Sequence, residues 1–191
     1  MSALPRPRWT AEEYLVYERQ AEAKSEFLDG ELFAMAGASR EHNIISLNVA
    51  VALHPQLVAR GCEEYMSDMR VHIPATGLYT YPDVTAACGE PRFSDEQRDT
   101  LVNPTLIIEV LSPSTADYDR GRKFAHYRSL PSLQVYLLIA SDEIRVERFV
   151  RQPSGEWLLT EFTDLDATVD LPGLEAQLPL TAIYRQVPRI G

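Results

Sequence analysis

Cysteine is scarce: Cys62 and Cys88 are the only two. They form neither a CxxC metal pair nor a disulfide framework, so zinc-ribbon and disulfide-scaffold classes fall away and a reduced, cytoplasmic chain is expected. No apolar run approaches the roughly 18–20 residues that cross a bilayer, so no membrane partner is expected. The opening MSALPRPRWTAEEY carries charge but no apolar segment of the kind a secretory signal needs. A glycine-rich phosphate loop, a Walker lysine and a Gly-x-Ser-x-Gly elbow are all missing. So are internal repeats with a period of 20–50 residues and low-complexity segments. Basic residues are too few to coat a polyanion: 18 against 28 acidic residues leave a net charge of −10. That excludes broad electrostatic binding of nucleic acid. It leaves room for a local basic stripe, and a carboxylate-lined metal site would itself add negative charge.

What is present is ordinary globular material. The 191 residues are 45% hydrophobic and 24% charged, enough for one domain with its own core. Residues 1–8, with Pro5 and Pro7, read as a tail, and residues 9–191 as a single domain. Thr10-Ala-Glu-Glu13 is a capping box, which starts a helix over about 11–23. Two extended runs, 25–28 and 31–35, flank Asp29-Gly30, a strong short hairpin signal. Ser39 caps a second helix over about 40–60, which Pro55 should kink or split. Beyond Gly61 the period changes. Strands are expected at 62–66, 70–73, 82–87 and 105–111, with a surface loop over 89–103. A helix at 118–130 precedes strands at 133–140, 143–150 and 156–162, and a short helix falls within 178–184. The sum is α/β or α+β with one mostly central sheet.

Three pieces could carry chemistry. The run Thr105-Leu-Ile-Ile-Glu109-Val-Leu reads as a strand buried on both faces. Glu109 in its middle must be paired, protonated or bound to a cation. Asp83, in Tyr81-Pro82-Asp83-Val84, opens a strand next to a backbone distortion; an Asx turn is its plainer explanation. Asp119, Lys123 and Tyr127 share one helix face, where a surface ion pair is the plainer explanation. His54 and His72 read as structural and Trp9 and Trp157 as packing residues, while His126 is expected on the helix beside Lys123, where one histidine makes no zinc site. Ser112 and Ser114 read as turn or capping residues.

The order Asp-Gly-Glu, Tyr-Pro-Asp-Val, Ile-Ile-Glu-Val-Leu-Ser-Pro-Ser-Thr, Asp, Lys, Tyr resembles the Uma-two-type family of restriction endonucleases, within the PD-(D/E)XK nuclease-like superfamily. The resemblance covers roughly residues 9–150. It implies a restriction-endonuclease-like mixed central sheet flanked by helices. It implies Asp83 and Glu109 as metal ligands and catalytic residues, and Lys123 as the catalytic lysine, moved to the helix because Leu111 stands at the usual lysine position. Glu31 and His42 match accessory positions. Many relatives carry Glu-Tyr-Trp and then an aspartate where this chain has Gln134-Val135-Tyr136 and Ala140. The resemblance further implies Mg²⁺ or Mn²⁺ as cofactor, DNA as substrate and a homodimer. The rival expectations are a catalytically inactive chain of the same fold, acting as a binding or oligomeric module, and a two-carboxylate sugar hydrolase, in which Lys123 has no role.

Overall fold

The computed structural model describes residues 8–113 and 115–188. The expected tail therefore lies, but for Arg8, outside the described residues, as does Ser114. Thr10 and Glu13 make the reciprocal capping box, and α1 runs over Ala11–Glu18. It stops short of residue 23 because the Glu18 carboxylate turns inward, accepting from the Ser25 N–H at 2.8 Å and the Tyr81 hydroxyl at 2.9 Å. Strands β1 (Ser25–Leu28) and β2 (Glu31–Ala34) pair as the Asp-Gly signal requires. Asp29 and Gly30 both hold positive φ, 52° and 82°, the left-handed geometry of a tight hairpin.

Helix α2 (Arg40–Ala59) runs unbroken through Pro55, which was expected to kink or split it. Val51, whose carbonyl loses its i+4 donor, is exposed, so water can serve it. The strands that follow are β3 (Cys62–Met66), β4 (Arg70–Ile73), β5 (Leu78–Thr80) and β6 (Val84–Cys88). Next come β7 (Thr100–Leu101) and β8 (Leu106–Leu111). Strands β9 (Val135–Ala140), β10 (Val146–Arg151) and β11 (Trp157–Phe162) complete the main sheet. Between β8 and β9 lies one helical segment: α3 (Ala116–Tyr118), a wide π turn (Asp119–Lys123) and α4 (Phe124–Tyr127). A hairpin of β12 (Thr168–Leu171) and β13 (Ala176–Pro179) leads into α5 (Leu180–Ile183).

The main sheet has six strands in the order β11-β10-β9-β8-β6-β3, mixed because β8 and β9 run parallel. A second sheet has the order β2-β1-β5-β4-β7. It was not foreseen, because β5 and β7 are three and two residues long and lie in turn-rich sequence. Strand β8 is buried along its whole length, as its apolar run requires. Its Leu106, Ile108 and Val110 pack with Ile45, Val49, Leu53 and Leu57 of α2 and with the β12–β13 hairpin. Its Ile107 and Leu111 face the other way, against Val71, Leu78, Phe124 and Tyr127. Glu109 belongs to this second face, between the two sheets. Chain passage from one sheet to the other occurs at Tyr81-Pro82-Asp83, where Pro82 ends the pairing of β5 and Asp83 precedes β6.

The expectation of a reduced chain is corrected here. Cys62 and Cys88 are directly opposed on antiparallel β3 and β6, with Cα atoms 4.0 Å apart, and form a disulfide. Sequence spacing hides this pairing, because only strand register makes the two residues neighbours. His72 is structural, stacked on Tyr79 at 4.0 Å. Trp157 packs edge-on to Phe124.

Candidate functional site

Two adjacent strands supply the central carboxylates. Val84 pairs with Ile108 in the antiparallel β6–β8 ladder, so one step further Asp83 stands opposite Glu109. Opposed side chains on antiparallel strands have Cβ atoms about 4.5–5.5 Å apart. Asp83 Oδ2 accepts from the Val110 N–H at 2.7 Å, which fixes the corner to β8. His42, on the first turn of α2, places Nε2 3.1 Å from the same oxygen.

The helical segment after β8 brings the cation. Lys123 Nζ lies 2.8 Å from Glu109 Oε1, 3.2 Å from Glu26 Oε1 and 3.7 Å from Asp119 Oδ1. The Tyr127 hydroxyl donates to Glu109 Oε1 at 2.7 Å. Asp119, Lys123 and Tyr127 thus share one inward face, as expected from the sequence. The π turn between them widens the helix at this point, a distortion often found at functional sites.

Electrostatically the cluster is unbalanced. Glu26, Glu109 and Asp119 surround one ammonium, Asp83 adds its charge to that felt by Glu109, and His42 stands beside Asp83. Burial pushes the Glu109 carboxyl up to about 8; Lys123 opposes this rise, and Asp119 and Asp83 add to it. Burial likewise raises Asp119, against the pull of Lys123. Lys123 is held well above its ordinary value because Glu109, Glu26 and Asp119 outweigh its own desolvation. Once deprotonated, these carboxyl groups outnumber the single ammonium, so a further cation would favour their charged forms.

The structure therefore brings Asp83, Glu109, Lys123 and His42 together. Glu31 is placed elsewhere, exposed on β2 opposite Leu28. Glu26, on the partner strand of that hairpin, reaches the cluster instead and accepts a short hydrogen bond from Thr80. Sequence reading missed Glu26. Its only local signal is a carboxylate between the buried Ser25 and Phe27, and the second sheet is what carries it to Lys123.

Comparison with known proteins agrees with this architecture. A family model, Uma2, described as "Putative restriction endonuclease", matches residues 11–182. The Synechocystis protein sll1609 is 43% identical over 161 residues, covering 84% of this chain and 91% of its own. A second Synechocystis protein, slr1290, is 35% identical over 181 residues, covering 95% and 94%. Both are described as uncharacterized. A crystal structure from Anabaena variabilis, titled as a "putative nuclease belonging to DUF820", superposes with a TM-score of 0.68. It shares 20% identity and covers 91% of this chain and 96% of its own. That is a likeness of fold, and the mixed sheet flanked by helices is the restriction-endonuclease-like architecture. With the family match spanning nearly the whole described chain, and two relatives aligned along most of their lengths, this chain belongs to the Uma2 family.

Proposed function

We propose that this chain is a metal-dependent nuclease that hydrolyses phosphodiester bonds in DNA. The observation that carries this reading is the opposed Asp83–Glu109 pair on adjacent strands with Lys123 2.8 Å from Glu109. Among the described residues no group of three or more His, Cys, Asp and Glu is arranged to hold a metal ion. Mg²⁺ does not require one: it takes hard oxygen ligands and keeps several waters, so one or two carboxylates suffice. The hard oxygen donors of Asp83 and Glu109, among more carboxyl groups than one ammonium balances once they are deprotonated, fit Mg²⁺ or Mn²⁺.

When bound, such an ion lowers the pKa of a coordinated water and offsets charge developing on phosphate. Asp83 and Glu109 would hold it, with Asp83 fixed by the Val110 N–H and Glu109 by Tyr127. Lys123 would orient the attacking water or steady the phosphate as a compact cation, with Glu26 and Asp119 holding the amine in place. His42 would set the rotamer of Asp83. A homodimer belongs to the same proposal, whereas the cytoplasmic location expected from reduced cysteines loses that support with the Cys62–Cys88 disulfide. No described helix is long and apolar enough to cross a membrane.

One observation favours the second reading, a nuclease-fold chain without catalysis that acts as a binding or oligomeric module. The side chains of Glu109 and Lys123 are only 6% and 7% exposed, so substrate access requires the cluster to open.

The test is cleavage of supercoiled plasmid with Mg²⁺ and with Mn²⁺, beside thermal unfolding with and without each ion. The nuclease reading expects metal-dependent nicking that Asp83→Ala and Glu109→Ala abolish, and a metal-induced rise in Tm that Asp83→Asn removes. Lys123→Ala should lower the rate at least ~100-fold while keeping most of the Tm rise. Nicking unchanged by either carboxylate substitution overturns the site. A Tm rise without cleavage supports the non-catalytic reading.

A further inference from the structure

Helix α2 is apolar on two opposite faces. One face, Ile45, Val49, Leu53 and Leu57, is fully buried in the core. The other presents Leu47, Val51 and Val58, which are 60%, 56% and 55% exposed, with His54 in the same line. From His42 to Ala59 the sequence contains no Asp, Glu, Lys or Arg, although such residues make up 24% of the chain. A surface helix ordinarily turns charge toward water, and one that is apolar all round is ordinarily covered. Depletion of charge is also what marks the centre of protein interfaces.

We infer that this face of α2 is the seat of a two-fold dimer with a second copy of this chain. Three observations favour that occupant. The exposed positions 47, 51, 54 and 58 have spacings of four, three and four, the alternation of a helix–helix seam. That pattern is symmetric about its own midpoint, so a two-fold axis there lays Leu47 against the partner's Val58, and Val51 against the partner's His54. An isologous interface needs this self-complementarity. Second, each copy carries a net charge of −10, and the uncharged run is where two such copies can meet without direct repulsion. It also lacks the Lys and Arg by which an amphipathic helix would bind an anionic membrane surface. Third, a hollow of about 380 Å³ beside the seam, between α2 and β3, is walled by Ala50, Val51, Pro55 and Met66, with the His54–Glu64 pair on its polar side, and is open to receive a side chain of the partner. The run is about 27 Å long at ~1.5 Å per residue. A helix pair of that length, with the rim on β3, buries on the order of 1,000 Å² in total, near the lower bound for a specific interface, so a reversible dimer is expected.

The inference does not depend on catalysis, and its test reads none. Sedimentation velocity of the full chain from about 1 to about 200 µM should show a monomer–dimer equilibrium. Val51→Glu and, separately, Leu47→Arg should shift it toward monomer at least tenfold, with unchanged far-UV circular dichroism and with a Tm equal to the parent's at a concentration where the parent is monomeric, because both side chains point to water in the single copy. Val51→Cys should cross-link between copies under mild oxidation, whereas Leu159→Cys, on the exposed edge strand β11, should not. A chain monomeric at every concentration overturns the inference. So does a dimer that withstands both charge substitutions or cross-links through Leu159→Cys. A monomer that co-floats with anionic vesicles assigns the face to a membrane instead.

Discussion

Glu109 shows at the scale of one residue how burial and neighbours compete. Its carboxyl is pushed up to about 8 by loss of water, although a lysine stands beside it. In the unfolded chain it titrates near its ordinary value of 4.5. Between those two values the folded chain keeps a proton that the unfolded chain has released, so stability must fall as pH rises through that window. Asp119, raised in the same direction, adds to the slope. Lys123 acts elsewhere: its raised value stabilises the fold fully below about 10.5, and this contribution is lost only at higher pH. Glu109→Gln should therefore flatten the fall between about pH 5 and pH 8, and gain ~1 kcal/mol or more at pH 8 relative to the parent. Urea unfolding at the two pH values measures it. An unchanged slope in the variant would place the buried proton on another group. The same residue was legible beforehand, because a carboxylate inside a doubly buried strand needs a partner. Glu26 was not, since a carboxylate on a short amphipathic strand looks like any solvated side chain until the second sheet folds over it.

Among the elements, the long periodic ones were legible and the short ones were not. The capping box at Thr10, the Asp-Gly hairpin, α2 and β8 follow from local rules that the packed chain leaves intact. Strands β5 and β7 escape those rules because they are fixed by register rather than propensity: β7 is two residues long and lies parallel to β4. The β12–β13 hairpin escaped too, although Val169, Leu171, Leu174, Ala176 and Leu178 all point into the core. The disulfide belongs to this scale. It ties the edge strand β3 to β6 across a sequence separation of 26, and closing a loop of that length stabilises by about 3 kcal/mol on chain-entropy grounds. Reduction, or Cys62→Ser with Cys88→Ser, should lower the urea midpoint by a corresponding amount and leave far-UV circular dichroism unchanged. A midpoint indifferent to reductant would show that the strand pairing alone holds the edge.

For the whole molecule, the site is a seam. Asp83 and Glu109 come from the six-stranded sheet, Glu26 and Thr80 from the five-stranded sheet, and Lys123 from the helical segment that closes on both. The resemblance in sequence implied Asp83, Glu109 and Lys123 as one set, and the geometry brings them together. What no stretch of sequence displays is that the Glu109–Lys123 pair is buried between the sheets, so access to it requires the packing around it to open.

That arrangement turns Lys123 into a chemical clock. Lys24 and Lys123 are the only lysines in the chain. Lys24 is on the surface, paired with Asp68, and Lys123 is sealed in the seam. An amine acylating reagent should modify Lys24 at least ~100-fold faster, because Lys123 is buried and its carboxyl neighbours hold it protonated. Peptide mass spectrometry separates the two sites, and equal rates would mean that the seam stands open. The ratio of rates then joins how often the packing around Lys123 opens to how firmly its carboxyl neighbours hold its proton, taken from a protein that carries its own reference amine.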